Sequence, residues 1–115
     1  LADYSHLTEC LYNIIINAFE SIPNDKPGYV NVISYCEYSW FIIKIQDTGC
    51  GIDKKALSKI FDPFYTKKNT AKNWGVGLSY AKQIINGHMG HIDVSSNIDE
   101  GSSFCIFIPI YKLNN

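Results

Sequence analysis

Two asparagines, Asn13 and Asn17, stand four residues apart in the run NIIINAF, and Glu9 precedes them by the same step. At i, i+4 spacing the three side chains share one face of a helix. Asparagine competes for backbone hydrogen bonds and is a poor helix-interior residue. Two of them among isoleucines therefore point to a cleft that uses amide oxygens, whereas Glu9 alone reads as a solvent-facing edge. Strand alternation puts Phe41, Ile43, Ile45 and Asp47 on one face, so the Asp47 carboxylate continues a core-facing row. Burying an unpaired carboxylate is costly, although Asp-Thr-Gly is also ordinary turn chemistry. Ser102 falls in register with Phe104, Ile106 and Ile108, a second polar group directed inward. Gly75-Val76-Gly77-Leu78 opens a helical pattern, where unpaired N–H groups and glycines let a phosphate approach the backbone. Lys67, Lys68 and Lys72 lie just before it. Amides, inward carboxylate, phosphate-cradling turn and basic loop together describe a nucleotide site: a base reader, metal ligands and an anion cradle.

These groups must be positioned by a small number of elements. Leu7, Leu11, Ile14, Ile15, Ala18 and Ile22 recur at helical spacing from about Asp3, an N-cap candidate, to Ile22, with Pro23 as the stop. Asn24, Asp25, Pro27 and Gly28 make a loop. Two strands, about Tyr29 to Cys36 and Trp40 to Asp47, follow as a hairpin joined by Glu37-Tyr38-Ser39. The glycine-bearing DTGCGID stretch breaks the second strand, and Lys54 to Lys59 suits a short helix leading into IFDPF. Thr66 to Asn73 holds no large apolar side chain and is expected to be a mobile surface loop. A second amphipathic helix runs to about Gly87, with Leu78, Ala81, Ile84 and Ile85 on one face. Strands near His91 to Ser96 and Ser103 to Tyr111 close the chain. The order predicts an α/β (α+β) two-layer sandwich, a mixed sheet with helices on one face.

The chain has 115 residues, within the single-domain range, and 46% hydrophobic against 18% charged residues excludes a disordered polymer. Ten Lys and Arg against eleven Asp and Glu give a net charge of −1, so no global basic field attracts nucleic acid or an anionic membrane. No apolar run approaches the roughly 20 residues of a membrane span, and no signal peptide is evident. Cys10, Cys36, Cys50 and Cys105 are dispersed, without zinc-site spacing, and reduced cytosolic thiols are the expected state. The start at Leu1, directly before a helical pattern, reads as a piece of something longer.

The motifs ADYSHLTECLYNIIINAFES, DTGCGI, IFDPFYTKK, GVGLSYAKQII and GSSFCIFIP occur in this order. With them the chain resembles the catalytic and ATP-binding domain of sensor histidine kinases, in the GHKL ATP-binding superfamily, over residues 1–115. NAFESIP with PFYTKK is most similar to the nitrogen-regulation and sporulation-type branch. The resemblance implies a Bergerat-type fold and the cofactors ATP and Mg2+. It implies that Asn17 gives an oxygen to magnesium and that Asn13 lines the phosphate side. It implies that Asp47 accepts the adenine amino group, with Ser102 supporting the ring through water, and that Gly49, Gly51 and Ile52 form the turn beside the base. Phe61 and Phe64 would anchor the front of an ATP lid, Lys67 and Lys68 would meet phosphate, with Lys68 the foremost, and Gly75, Val76, Gly77 and Leu78 would form its rear hinge and anion cradle. Asn13, Asn17 and Lys68 are the implied catalytic residues.

This chain departs from the family at four places. Glu20 stands where many relatives carry a basic residue, Asn73-Trp74 precede Gly75 where Gly and a small residue are common, Ser102 replaces Thr, and Met89 replaces a frequent Gly. The implied partners are a histidine-bearing dimerisation and phospho-acceptor domain of the same protein and, through it, a response regulator. No nucleic acid is implied. A monomeric isolated domain, a homodimeric whole protein and a cytoplasmic location, with any membrane anchor elsewhere, also follow from the resemblance. His6, His88 and His91 lack the acidic residue that follows an acceptor histidine, so the attacking group must come from another domain. A self-contained ATPase of the gyrase, chaperone or mismatch-repair kind would carry Glu at the position of Asn13 to activate water. An anti-sigma-factor serine kinase typically lacks the IFDPFYT element. A nucleotide-sensing module that binds without transfer remains the non-enzymatic alternative.

Overall fold

The computed structural model describes residues 4–63 and 77–110. Its elements are α1 (Tyr4–Glu20), β1 (Val30–Glu37), β2 (Trp40–Asp47), α2 (Lys54–Leu57), α3 (Gly77–Gly87), β3 (His91–Asn97) and β4 (Gly101–Pro109). The four strands form one sheet in the order β1-β2-β4-β3. Helices α1 and α3 cover one face, giving the expected two layers. The expected mixed sheet is corrected: among the described residues all three pairings are antiparallel. The crossover through α3 delivers β3 to the far edge, pointing the same way as β2. The returning β4 then inserts between them, so the two parallel strands are never neighbours.

The hairpin register pairs Glu37 with Trp40, so the connection is a two-residue turn, Tyr38-Ser39, one residue tighter than the sequence suggests. Tyr38 takes a positive φ of 56°, as two-residue hairpin turns require. Across the next pairing Asp47 faces Ser102 and Ile45 faces Phe104, which puts both inward-directed polar groups at the same end of the sheet. Pairing alone therefore decides that Asp47 and Ser102 meet.

The core lies between the helices and β2 and β4. Ile14 and Ala18 of α1, Ile43 and Ile45 of β2, Ala81 and Ile85 of α3, and Phe104 and Ile106 of β4 are buried together with Ile60 and Cys10. Burial of each large apolar side chain contributes about 1.5–3 kcal/mol. The line of deepest burial on α1 is Cys10, Ile14 and Ala18, at successive steps of four. Leu7, Leu11 and Ile15 flank it, half-buried. Small side chains let α1 and α3 approach closely, and the Cys10 thiol donates to the Ala81 carbonyl at 3.6 Å. Burial raises the Cys10 pKa to about 11, because the thiolate would lose its hydration. All four cysteines are free. Helix α2 is brief, capped by the Asp53 carboxylate accepting from the Ala56 N–H at 2.7 Å. Among the described residues no helix is long and apolar enough to cross a membrane.

Candidate functional site

Asp47 is only 7% exposed, at the floor of the end where α1, β2 and β4 terminate or begin. Its burial is compensated by three donors, all on one oxygen. Oδ1 accepts from the Gly49 N–H at 2.9 Å, the Ser21 hydroxyl at 3.2 Å and the Ser102 N–H at 3.3 Å. These donors come from the following loop, the end of α1 and the central strand β4. Oδ2 receives no donor among the described residues, so the fold fixes the carboxylate plane through one oxygen and leaves the other as an unused acceptor.

One turn before Ser21, the Asn17 amide donates its Nδ2–H to the Asn13 carbonyl at 3.0 Å. Only the NH2 end can make that bond, which assigns the amide orientation and leaves Oδ1 as the outward group. Asn13 and Asn17 are half-buried while Glu9 is exposed, so the stripe sinks from solvent toward the junction along α1. A neutral amide oxygen is a suitable hard ligand for magnesium. The Asn17 amide oxygen thus has the chemistry that a magnesium ligand needs. A surface depression lined by Ser5, Thr8, Glu9 and Tyr12 lies toward the start of α1 and contains none of the linked groups.

The loop after Asp47 is held on both sides. Cys50 donates its N–H to the Ser21 carbonyl at 3.0 Å, and its own carbonyl accepts from the Asp99 N–H at 2.8 Å. Ile52 donates to Ser96 Oγ at 2.7 Å. Ser96 in turn donates to the Gly101 carbonyl at 3.0 Å and lies 2.8 Å from Ser102 Oγ. A hydroxyl has one proton, so with Ser96 donating to Gly101 the remaining bond must run from Ser102 to Ser96. Ser102 then keeps its lone pairs for a further donor, such as water. Gly101 has φ of 118°, and a Cβ there would collide with the Asp47 carbonyl oxygen. Gly49 is equally constrained: a Cβ would collide with Ser21 Oγ.

The structure therefore joins Asn13, Asn17, Asp47, Gly49, Ile52 and Ser102 through one connected set of hydrogen bonds, with Gly51 packed against the Asn97 backbone. Phe61 and Leu78 lie beside the core rather than in that set, both half-buried against it. Phe61 also receives the Lys82 ammonium 5.1 Å from its ring centroid. Gly77 is the first residue of α3. Phe64, Lys67, Lys68, Gly75 and Val76 lie outside the described residues, as does the Thr66 to Asn73 loop. Sequence reasoning missed Ser21 and Ser96, and gave Gly101 no role. Ser21 and Gly101 carried a signal only as the end residues of motifs, and Ser96 carried none. Met89 sits at φ of 63° after α3, in a left-handed turn where glycine is favoured.

Residues 2–112 match the family described as histidine kinase-, DNA gyrase B-, and HSP90-like ATPase. The signal transduction histidine-protein kinase AtoS of Escherichia coli is 40% identical over 114 residues, which is 99% of this chain and 18% of AtoS. The sensor protein RprX of Bacteroides fragilis is 36% identical, covering 96% of this chain and 22% of RprX. The chain thus spans about a fifth of these curated relatives. Among solved structures, the catalytic domain of histidine kinase ThkA superimposes with a TM-score of 0.79 at 29% identity, over 94% of this chain and 68% of that one. The mycobacterial sensor histidine kinase MprB gives 0.80 at 26% identity, over 94% and 72%.

Proposed function

The chain belongs to the histidine kinase-, DNA gyrase B-, and HSP90-like ATPase family, as an ATP-binding catalytic domain of the sensor-kinase kind, and from that premise we propose that it presents Mg-ATP for phosphoryl transfer to a histidine on a separate domain. The observation that carries this reading is the divided carboxylate of Asp47, with one oxygen bound by three protein donors and the other left for a ligand. An acceptor at that place meets the amino group of adenine and faces the carbonyl oxygen of guanine unfavourably.

On this reading Asp47 selects the base, Ser102 supports it through its lone pairs, and the Gly49-to-Ile52 turn leaves room for the ring. Asn17 offers Oδ1 at the phosphate end and Asn13 lines the same side. Bound magnesium would supply charge neutralisation on the phosphates. Lys67 and Lys68 would add positive charge, and the segment from Gly75 to Leu78 would place backbone N–H groups at phosphate. Asn13 cannot deprotonate water, so the domain holds ATP without a resident base for its hydrolysis. The attacking imidazole arrives on the acceptor domain, and catalysis rests on positioning and charge stabilisation.

Incubation with γ-labelled ATP, with and without the histidine-bearing domain, tests the proposal. Label is expected on the acceptor histidine only when both domains are present. Strong self-labelling or rapid phosphate release by the lone domain would point to a self-contained enzyme, and binding without transfer to a matched acceptor would point to a sensing module. Asn17→Ala is expected to remove the magnesium dependence of nucleotide binding while the fold persists. An unchanged magnesium dependence would make Asn17 structural.

A further inference from the structure

We propose that Ser21 is a specificity-determining positioning residue, whose hydroxyl orients Asp47 so that Oδ2 faces the purine. The proposal rests on the reading of Asp47 as the base acceptor and assigns a role to the last residue of the first motif, which the resemblance leaves without one. Ser21 is the first residue after α1, and every polar group it owns is engaged. Its N–H reaches the Asn17 carbonyl at 3.1 Å and the Ala18 carbonyl at 3.3 Å, and its own carbonyl accepts from Cys50 N–H at 3.0 Å. The backbone is thus fixed before the hydroxyl is used, and little conformational freedom is lost in using it.

The hydroxyl has two acceptors and one proton. Oγ lies 2.7 Å from the Ala18 carbonyl and 3.2 Å from Asp47 Oδ1. A carboxylate is the stronger acceptor of the two, because the bond to it is charge-assisted. The other donors to Oδ1 are the backbone N–H groups of Gly49 and Ser102, both in or directly beside the strands of the sheet. Ser21 is the one side-chain donor, and the one arriving from the helical layer. Two donors from the sheet side leave the carboxylate free to tilt about Oδ1, and a third from above the sheet fixes that tilt. Gly49 fits this arrangement, since a Cβ at that position would meet Ser21 Oγ and displace it. Ser21 also follows Asn17 by one helical turn. The helix end that directs the Asn17 oxygen therefore also directs the base acceptor.

Calorimetry on this chain with Mg-ATP, Mg-GTP and purine riboside triphosphate, which lacks the 6-amino group, tests the role. Loss of one positioning hydrogen bond that acts on the ligand only through Asp47 predicts that Ser21→Ala weakens ATP binding about three- to tenfold. Binding of the other two nucleotides should stay within about twofold, because neither donates to Asp47. Ser21→Thr restores the hydroxyl and should restore the preference for ATP. A parallel loss for all three nucleotides, or no loss for ATP, overturns the proposal. If Ser21→Ala does not fold, Ser21→Cys carries the test: its weaker thiol donor must lower the ATP preference below that of the wild type, and an unchanged preference overturns the role. A wild type that binds ATP no better than purine riboside triphosphate would instead refute Asp47 as base acceptor, and so separates the two failures.

Discussion

The seam between α1 and α3 and the junction at the end of β2 each bury groups away from water, and they are held by opposite means. The seam consists of Cys10, Ile14, Ala18, Ala81 and Ile85, all at most 2% exposed, and the thiol of Cys10 donates only weakly across it. Its stability comes from area and close fit. The junction buries a carboxylate and the Ser102 side chain, and its cohesion comes from directional bonds among Asp47, Ser21, Gly49, Ser96 and Ser102. A packed apolar seam tolerates rearrangement if volume is kept. A buried polar junction is more sensitive, because each donor lost leaves its acceptor less well satisfied. The two differ in their turns as well. The turns at the junction place glycine at two of their positive-φ positions, Gly51 and Gly101, and Asp99 at the third, whereas the turn leaving α3 places Met89 at φ of 63°.

If the seam supplies stability and the junction supplies selectivity, they should be separable by mutation. Ile14→Ala removes a fully buried side chain and is expected to cost about 2–5 kcal/mol in urea unfolding. The protein that remains folded should keep its preference for ATP over GTP. A preference that fell with stability would break the comparison. The next effect belongs to Cys10. Its folded pKa is raised from about 9 to about 11, so its contribution is fully present below pH 9 and is lost as pH rises toward 11. The loss amounts to at most roughly 2–3 kcal/mol. Urea midpoints across that window should fall further for wild type than for Cys10→Ala, and equal slopes would place the pH sensitivity elsewhere.

At the junction, Asp47→Asn should weaken ATP binding by about 1–3 kcal/mol, roughly 5- to 150-fold. Its GTP affinity should hold or improve, because an amide NH2 can face the guanine oxygen. Equal losses for both nucleotides would reduce the junction to a second structural core. The smallest effect concerns the turn at the end of the seam. Met89→Gly relieves a left-handed backbone and is expected to stabilise by about 1 kcal/mol, read as a rise of a few degrees in Tm. No change would mean that the greater freedom of glycine in the unfolded chain cancels the relieved strain.

The seam was largely legible before folding and the junction only in part. Residues at steps of three and four announced α1 and α3, and alternation announced β2 and β4. The same alternation turned Asp47 and Ser102 inward, and both are buried. Such patterns are local, since a helix or strand repeats its geometry within a few residues, and composition records that repetition. Cys10 escaped this reading because a thiol carries no obvious hydrophobic label, although it lies on the line of deepest burial.

Tertiary structure alone decided which inward-facing groups would meet. The bond from Ser21 to Asp47 spans 26 residues, that from Ile52 to Ser96 spans 44, and that from Ser102 to Asp47 spans 55. The first requires the end of α1 to lie at the end of β2, the second brings the loop after β2 to β3, and the third depends on the register between β2 and β4, where a slip by one residue would turn Ser102 away from Asp47. No local periodicity encodes that pairing. A serine after a helix and a serine late in a strand look like any surface hydroxyl in sequence. They become donors to a buried carboxylate only when the sheet closes and water, the competing partner, is excluded.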